Sequence, residues 1–270
     1  MHQLMVKENA IPGLRQKQVL RSSQSSSENK LPGNLLGQPK DLWSEEYFED
    51  GMWKSKPRKR PLISVTDSIL DMPGFQLLPR SRFRLMDWSS TNFIAALIQN
   101  AVTFYDIRLS ITAKPLSLEN VEACILKWNH AGDKLAICTT ASNISLYDLV
   151  TQKILWTAVC KCVLTYKSHC IIRCLCWQYN DQHIVTGCRG FISVYCAKTG
   201  SIINSLHIHG AEILTLSFSS NYQYLVTSAS DTSVNILLWP SLTSFLIINY
   251  YKPVKAVAWH PYESGLLCIG

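Results

Sequence analysis

Leu85-Met86-Asp87-Trp88 is a short strand-like run that ends on tryptophan, and runs of the same kind return along the chain. The aromatic residues that end these runs are Trp88, Trp128, Trp177, Phe218 and Trp259. The sequence separations between successive members are 40, 49, 41 and 41. A period of about 40 residues that closes on an aromatic side chain is typical of a β-repeat array.

Each aromatic residue is followed by a polar turn and by further strand-like runs. After Trp128 the turn is Asn129-His130-Ala131-Gly132-Asp133, and the next runs cover 135–138 and 144–147. Short strands at this spacing, with no helical pattern between them, predict four-stranded blades. We therefore expect an all-β WD-repeat propeller over residues 61–270, with about four and a half blades.

Residues 1–60 have a different composition and predict a disordered tail. The polar tract at 22–27 buries too little apolar surface to offset the entropy of ordering. The acidic aromatic segment at 41–50 is either a solvated stretch or a docking helix that folds on a partner. Next to it lies a basic run that is either a nuclear-import signal or a solvated linker. The charged residues of the import signal would be Lys56, Arg58, Lys59 and Arg60.

Charge and hydropathy narrow the class of partner. The chain has a formal net charge of +7, of which the tail carries +4, so the repeat region is close to neutral. This balance argues against a broad nucleic-acid surface. No apolar run reaches the length of a membrane helix, and the N-terminus has no secretory pattern. We expect protein partners, with no nucleic acid and no membrane, and a cytoplasmic location that leaves import into the nucleus open.

Ten cysteines in such a chain are expected to be free thiols. A metal site is the alternative, because Cys160-x-Cys162 and Cys174-x-Cys176 lie close in sequence with His169 and Cys170 between them. Burial of Cys as a small hydrophobe explains the same residues, and no C-x-x-C pair is present. We therefore expect no metal and no other cofactor. His169 and His209 precede the aromatic positions, and we expect both to join structural hydrogen-bond networks.

Several motifs resemble one family of repeat proteins. Ser68-Ile69-Leu70-Asp71-Met72-Pro73 is followed by Asp87-Trp88-Ser89-Ser90, and the basic Lys56-Pro57-Arg58-Lys59 precedes both. The fifth run reads Val254-Lys255-Ala256-Val257-Ala258-Trp259-His260-Pro261. These features resemble the Fizzy/Fizzy-related co-activators of the anaphase-promoting complex, over about residues 54–270. Two repeats end their third run in Tyr105-Asp106 and Tyr147-Asp148, in place of the Trp-Asp pair that names WD repeats. These weak repeat signatures, the many cysteines and the acidic aromatic segment resemble a divergent branch of that family.

The resemblance implies a non-enzymatic adaptor for a ubiquitin ligase in cell-cycle or meiotic control. Its partners would be subunits of the anaphase-promoting complex and degron-bearing substrates such as cyclins. In the family, a tail motif called the C-box docks on the complex, and here the best match contains Ile11, Pro12 and Arg15. Asn9 and Ala10 depart from that motif. Lys7, Glu8 and Asn9 also spell a KEN degron, which would mark the protein for its own turnover or arise by coincidence.

Two further expectations follow from the resemblance. Propellers of the family close with seven blades, so we expect the present chain to be a fragment or a truncated form with an open array. A general WD-repeat scaffold, or a competitor that lacks ligase activation, is the alternative to an activator. An enzyme is disfavoured because the sequence has no Gly-rich phosphate loop, no H-E-x-x-H motif and no nucleophile elbow.

Overall fold

The strands follow one another along the chain as a series of antiparallel sheets. The computed structural model describes residues 84–118, 122–167, 169–263 and 265–270, together with Leu70, Met72 and Phe75. The described residues from Met72 onward belong to one compact unit. Of the second unit, Val19–Asp71, the structure describes only Leu70.

Four sheets are complete blades. Blade 1 contains β1 (Met86–Trp88), β2 (Phe93–Ile98), β3 (Ala101–Asp106), β4 (Ile111–Thr112) and β5 (Leu116–Ser117). Blade 2 contains β6 (Ala123–Trp128), β7 (Lys134–Thr139), β8 (Asn143–Asp148) and β9 (Lys153–Val159). After the short helix α1 (Lys161–Tyr166), blade 3 contains β10 (Cys174–Trp177), β11 (His183–Cys188), β12 (Phe191–Cys196) and β13 (Ile202–His207). Blade 4 contains β14 (Ile213–Phe218), β15 (Tyr224–Ala229), β16 (Ser233–Leu238) and β17 (Thr243–Asn249).

A fifth sheet consists of two antiparallel strands, β18 (Val257–Trp259) and β19 (Leu267–Ile269). Strand order within each complete blade follows the chain, except that β4 and β5 both pair with β3 in blade 1. The predicted propeller architecture, incomplete over the described residues, is therefore confirmed. All five aromatic residues of the period end the first strand of a sheet, as the sequence predicts.

The middle strands of blades 2, 3 and 4 are buried on both faces, whereas β3 of blade 1 is buried only at alternate residues. In β15 all six residues are buried, whereas β17 of the same blade is largely exposed. A strand buried on both faces reads as a nearly continuous apolar run, because neighbouring blades cover it from either side. The outer strands border solvent, and buried and exposed residues alternate only weakly along them.

The apolar core is divided among the joints between consecutive blades. One cluster joins blades 1 and 2 around Phe104 and Leu135, and a second joins blades 2 and 3 around Ile144 and Tyr195. Corresponding clusters join blade 3 to blade 4 and blade 4 to the fifth sheet. Each blade is therefore stabilised mainly by its immediate neighbours, as expected for a repeat protein.

The helix α1 was not expected from the sequence, which showed no helical pattern between the strands. It lies in the connection from β9 to β10, inside the longest interval of the aromatic period. Its six residues end at Tyr166, and the following Lys167 adopts a left-handed conformation with φ of 52°. The extra residues of this interval thus form a distinct structural feature between blades 2 and 3.

Candidate functional site

Three of the periodic tryptophans hold successive blades together through their indole N–H groups. Trp128 Nε1 donates to the Asp87 carbonyl at 3.2 Å, and Trp177 Nε1 donates to the Lys127 carbonyl at 3.1 Å. Trp259 Nε1 donates in the same way to the Ser217 carbonyl at 3.2 Å. In each case the acceptor comes directly before the aromatic residue that ends the first strand of an earlier blade. The sequence period therefore marks a repeated contact between blades.

Asp87 strengthens the joint between blades 1 and 2. Its carboxylate accepts hydrogen bonds from the Trp128 backbone N–H and from Lys127 Nζ, both at 2.8 Å. The Lys127 side chain is 40% exposed, so solvent weakens the charge attraction of this pair. The backbone contact fixes the start of the turn after Trp128.

Asp181 performs a similar function between blades 2 and 3. Its carboxylate accepts hydrogen bonds from the backbone N–H groups of His130 and Ala131, both at 2.9 Å. It also contacts His130 Nδ1 at 2.9 Å and accepts from Asn129 Nδ2 at 3.0 Å. One carboxylate therefore binds most of the polar turn of the preceding blade.

His209 lies at the centre of a polar network inside blade 4. Its imidazole is buried, with Nδ1 3.1 Å from the Asp231 carboxylate and Nε2 3.1 Å from Thr227 Oγ1. Ser233 Oγ lies 2.9 Å from Nδ1. A neutral imidazole fits this arrangement, since Nδ1–H donates to Asp231 while Nε2 accepts from Thr227.

Burial lowers the pKa of His209, and the nearby Asp231 carboxylate offsets that effect only in part. Burial by itself raises the pKa of Asp231, but hydrogen bonds from Ser233 and the charge of His209 bring it below its usual value. The structural role expected for His209 agrees with this geometry. The equivalent expectation for His169 is wrong, because its side chain is exposed and has no hydrogen-bond partner among the described residues. Its carbonyl accepts a hydrogen bond from Arg189 at 2.5 Å.

A strip of aromatic side chains crosses the ends of blades 3 and 4. The rings of Tyr179 and Tyr222 are 5.3 Å apart, those of Phe218 and Tyr222 are 5.6 Å apart, and those of Phe218 and Trp239 are 5.0 Å apart. Tyr179 is 65% exposed. Aromatic residues are enriched where one protein surface binds another. We call these four residues the aromatic strip.

Four cysteines meet between blades 2 and 3. The sulfur atoms of Cys160, Cys162, Cys170 and Cys188 all lie within 4.8 Å of one another, and all four residues are buried. Hydrogen bonds from the Cys160, Cys162 and Cys188 thiols lower the pKa of Cys170, and hydrogen bonds within the same group raise that of Cys188. All ten cysteines of the chain are free thiols in the structure.

The sequence had indicated a different set of possible ligands. Cys174 and Cys176 do not join the group of four and lie instead on β10, where burial accounts for them. Cys188 falls in a strand-like run, where the sequence predicts burial as a small hydrophobe, and it lies well beyond Cys170, past the whole of β10. Only strand pairing, which brings the end of β11 to the start of β10, shows that it is close.

The remaining site predictions concern residues outside the described ranges. They include the C-box residues Ile11, Pro12 and Arg15, and the degron residues Lys7, Glu8 and Asn9. The import signal of Lys56, Arg58, Lys59 and Arg60 lies outside as well. These assignments remain predictions from the sequence. Within the part of the chain that the structure describes, no helix is long and apolar enough to cross a membrane.

Comparison with known proteins agrees with the fold and the family resemblance. A family model of the WD40 domain of anaphase-promoting complex subunit 4 matches residues 126–221. Protein cortex of Heliconius melpomene is 27% identical over 223 residues, which cover 81% of this chain and 48% of the relative. The APC/C activator protein CDH1 of Saccharomyces cerevisiae is 25% identical over 214 residues, covering 78% of this chain and 36% of the relative.

Over about four fifths of its length the chain is similar to Fizzy-type activators at 24–27% identity. It spans about half the length or less of the curated relatives it matches. A chain in the crystal structure of the mitotic checkpoint complex shares the fold, with a TM-score of 0.66 and 22% identity. That match covers 93% of this chain and 69% of the other. The divergent branch that the sequence resembles is represented among the relatives by cortex.

Proposed function

We propose that this chain acts as a non-enzymatic adaptor of the anaphase-promoting complex in cell-cycle or meiotic control. The observation that supports it most is the match to an APC/C activator over about four fifths of the chain. The apolar clusters that join each pair of consecutive blades make the described region a continuous scaffold. A scaffold of this kind presents loops and strand ends to protein partners. Substrate recruitment would bring degron-bearing proteins such as cyclins to the ligase.

Docking on the complex is assigned to the tail residues Ile11, Pro12 and Arg15. The test is co-precipitation of the complex from cell extract with the tagged full chain. Joint substitution Ile11→Ala and Pro12→Ala should reduce the recovered complex at least about tenfold, which corresponds to about 1.4 kcal/mol of binding energy. The pair Gln16→Ala and Gln18→Ala, in the same tail, is the matched control and should leave recovery unchanged.

The departures from the family motif at Asn9 and Ala10 favour the alternative of a scaffold or competitor without ligase activation. The same experiment decides between the two. Failure of the full chain to recover the complex, or recovery that is insensitive to the Ile11 and Pro12 substitutions, would support the scaffold.

We assign contact with a substrate protein to the aromatic strip. The exposed ring of Tyr179 lies beside the half-buried rings of the other three residues and offers apolar area with little side-chain entropy to lose on binding. Tyr179→Ala should weaken capture of a cyclin fragment at least about tenfold, in the range seen at interface hot spots. Val150→Ala, at an apolar residue that is 80% exposed on blade 2, is the control and should not change capture. Equal capture by both variants would exclude the strip.

A further inference from the structure

The four buried cysteines come from two parts of the chain that the fold brings together. Cys160 and Cys162 lie at the start of α1, and Cys170 lies between α1 and β10. Cys188 ends β11, whose partner β10 begins at the same end of the sheet because Cys174 pairs with Gly187. The connection from blade 2 and the β11–β12 turn therefore meet at one end of blade 3.

The distances among the sulfur atoms are close to those of a tetrahedral metal centre. A Zn–S bond of about 2.3 Å places the sulfurs of a tetrahedron about 3.8 Å apart. Here all four sulfurs lie within 4.8 Å of one another, and the Cys160–Cys188 and Cys162–Cys188 separations are 3.5 and 2.9 Å. Changes of about 1 Å or less in these separations would therefore give four equal ligands. An iron–sulfur cluster would need a wider opening, since its own atoms lie between the cysteines.

Small-hydrophobe packing and a disulfide each explain less of this arrangement. Burial alone accounts for Cys124 and Cys138, which lie in the same apolar cluster without joining the group. A disulfide needs two sulfurs about 2.05 Å apart and would use only half of the four. Convergence of four thiols on one point is the geometry that a thiophilic divalent ion requires.

The surroundings hold the ligands in place. Cys170 is fixed from both sides by Ser142, whose Oγ accepts from its N–H at 2.9 Å and donates to its carbonyl at 2.5 Å. The Cys160 N–H donates to the Ser142 carbonyl at 2.8 Å. Ligand groups supported by such outer hydrogen bonds are typical of metal centres.

The length of the interval between the second and third aromatic residues of the period also supports a metal site. The aromatic period lengthens only between blades 2 and 3, from Trp128 to Trp177, and this interval contains α1 with Cys160, Cys162 and Cys170. A short helix and its flanking loops have little core of their own, and a metal ion is a common means of stabilising such segments. Lys161 and Arg189 are each adjacent in sequence to a proposed ligand. Their positive charge suits a divalent ion with four thiolate ligands, which has a net charge of −2.

We propose that Cys160, Cys162, Cys170 and Cys188 bind a single structural zinc ion that joins the blade 2–3 connection to blade 3. Binding converts four thiols to thiolates and releases four protons to solvent, so the site holds Zn²⁺ with four sulfur ligands and no open position. Such a closed site stabilises the fold and supplies no catalytic water. It is independent of the proposed adaptor function.

The experiment uses the full 1–270 chain, purified with a phosphine reductant and without chelator. Elemental analysis should find about one zinc per chain, and a mercurial reagent should release it in proportion to the thiols modified. Exchange with Co²⁺ should give the thiolate charge-transfer and ligand-field bands of a tetrahedral four-sulfur site. These measurements on the unmodified chain do not depend on whether any variant folds.

Single cysteine-to-serine substitutions show which residues bind the zinc ion. Cys162→Ser and Cys188→Ser should each reduce zinc content or affinity by about 10-fold or more, in line with the loss of a ligand or its support. Cys124→Ser and Cys138→Ser, buried in the same cluster, should retain zinc. The proposal is overturned if the folded chain takes up no zinc when it is supplied, if iron is bound instead, or if ligand and control variants retain equal zinc. Recovery of a Cys162–Cys188 disulfide from chain that was alkylated at cell lysis, before any reductant was added, would also exclude it.

Discussion

At the scale of single residues, the periodic tryptophans have two functions that the sequence shows only in part. Their position in the period was predictable, because the aromatic residue ends the first strand of every sheet. Their hydrogen bonds to other blades were not, since the acceptors are backbone carbonyls in earlier repeats and carry no side-chain signal. Phe218 occupies the same position without an N–H group, so the joint between blades 3 and 4 lacks this contact.

Trp177→Phe tests the contribution of the indole hydrogen bond. The Lys127 carbonyl loses its donor while most of the apolar ring is retained, so the free energy of unfolding should fall by about 0.5–1.5 kcal/mol. Denaturant unfolding followed by fluorescence or circular dichroism measures the change. Trp239→Phe is the control, because its indole N–H has no hydrogen-bond acceptor among the described residues, and it should cost less. A larger loss for Trp239→Phe would contradict the assigned contact.

His209 predicts that the repeat region becomes less stable as the pH falls. Its pKa in the folded chain is below the ordinary value of 6.5, whereas the unfolded chain binds a proton near 6.5. The unfolded state therefore takes up more protons once the pH drops below about 6.5, and the free energy of unfolding decreases until the pH reaches the folded pKa. The neighbouring groups Asp231 and His207 act on the imidazole in opposite directions.

Chemical denaturation at pH 7.5 and pH 5.5 measures this effect. The wild-type chain should lose stability between the two values, and His209→Gln should show a smaller difference although its stability at pH 7.5 is lower. His260→Gln, at a histidine on the partial fifth sheet, controls for the general effect of losing an imidazole. An unchanged difference in His209→Gln would show that other groups cause the pH dependence.

At the scale of secondary-structure elements, buried strands were easier to predict than connections and outer strands. β7 and β8 extend the predicted 135–138 and 144–147 by one residue at each end. Such strands are buried on both faces and are therefore rich in apolar residues. The outer strands β9, β13 and β17 are largely exposed, so their composition carries little signal. The helix α1 is shorter than two turns and gives no recognisable period.

The β11–β12 turn depends on glycine at position 190. Gly190 has a φ of +80°, and a Cβ atom there would lie 2.0 Å from the carbonyl oxygen of His209. Its own carbonyl accepts hydrogen bonds from the N–H groups of Ile208 and His209. Gly190→Ala should therefore lower the free energy of unfolding by at least about 3 kcal/mol, through backbone strain and displacement of the contacting β13–β14 connection.

Gly210→Ala is the matched control for this prediction. A Cβ atom at Gly210 meets no atom within 4 Å, so alanine there should be neutral to within about 1 kcal/mol. Thermal unfolding of both variants beside the wild type measures the difference. Equal stability of the two variants would mean that the turn can shift to accommodate a side chain.

At the scale of the whole molecule, the sequence predicted the order of blades but not the side-chain groups that form between them. The group of four cysteines and the Asp181 contacts both combine residues from separate repeats. Their members are far apart in the chain and have no fixed spacing, so they become visible only when the strands are paired. The aromatic period arises within each blade, whereas the cysteine group and the Asp181 contacts form only where two blades meet.

Because the core is divided into separate clusters, a destabilising substitution at one joint between blades should affect mainly that joint. Leu267 is buried in the cluster between blade 4 and the fifth sheet, and Leu135 is buried in the cluster between blades 1 and 2. Either leucine-to-alanine change should cost about 2–5 kcal/mol at its own joint. In a repeat array, stability is close to a sum of repeat and neighbour contributions, so distant blades should keep most of theirs.

Amide hydrogen exchange measured by mass spectrometry can locate the loss. Leu267→Ala should speed exchange in β14 to β19 and leave β6 to β9 close to wild type, while Leu135→Ala should produce the reverse pattern. Each variant thus serves as the control for the other. If both variants accelerated exchange to the same extent in every sheet, the blades would unfold as one cooperative unit, and the free energy of each joint would be shared across the entire array.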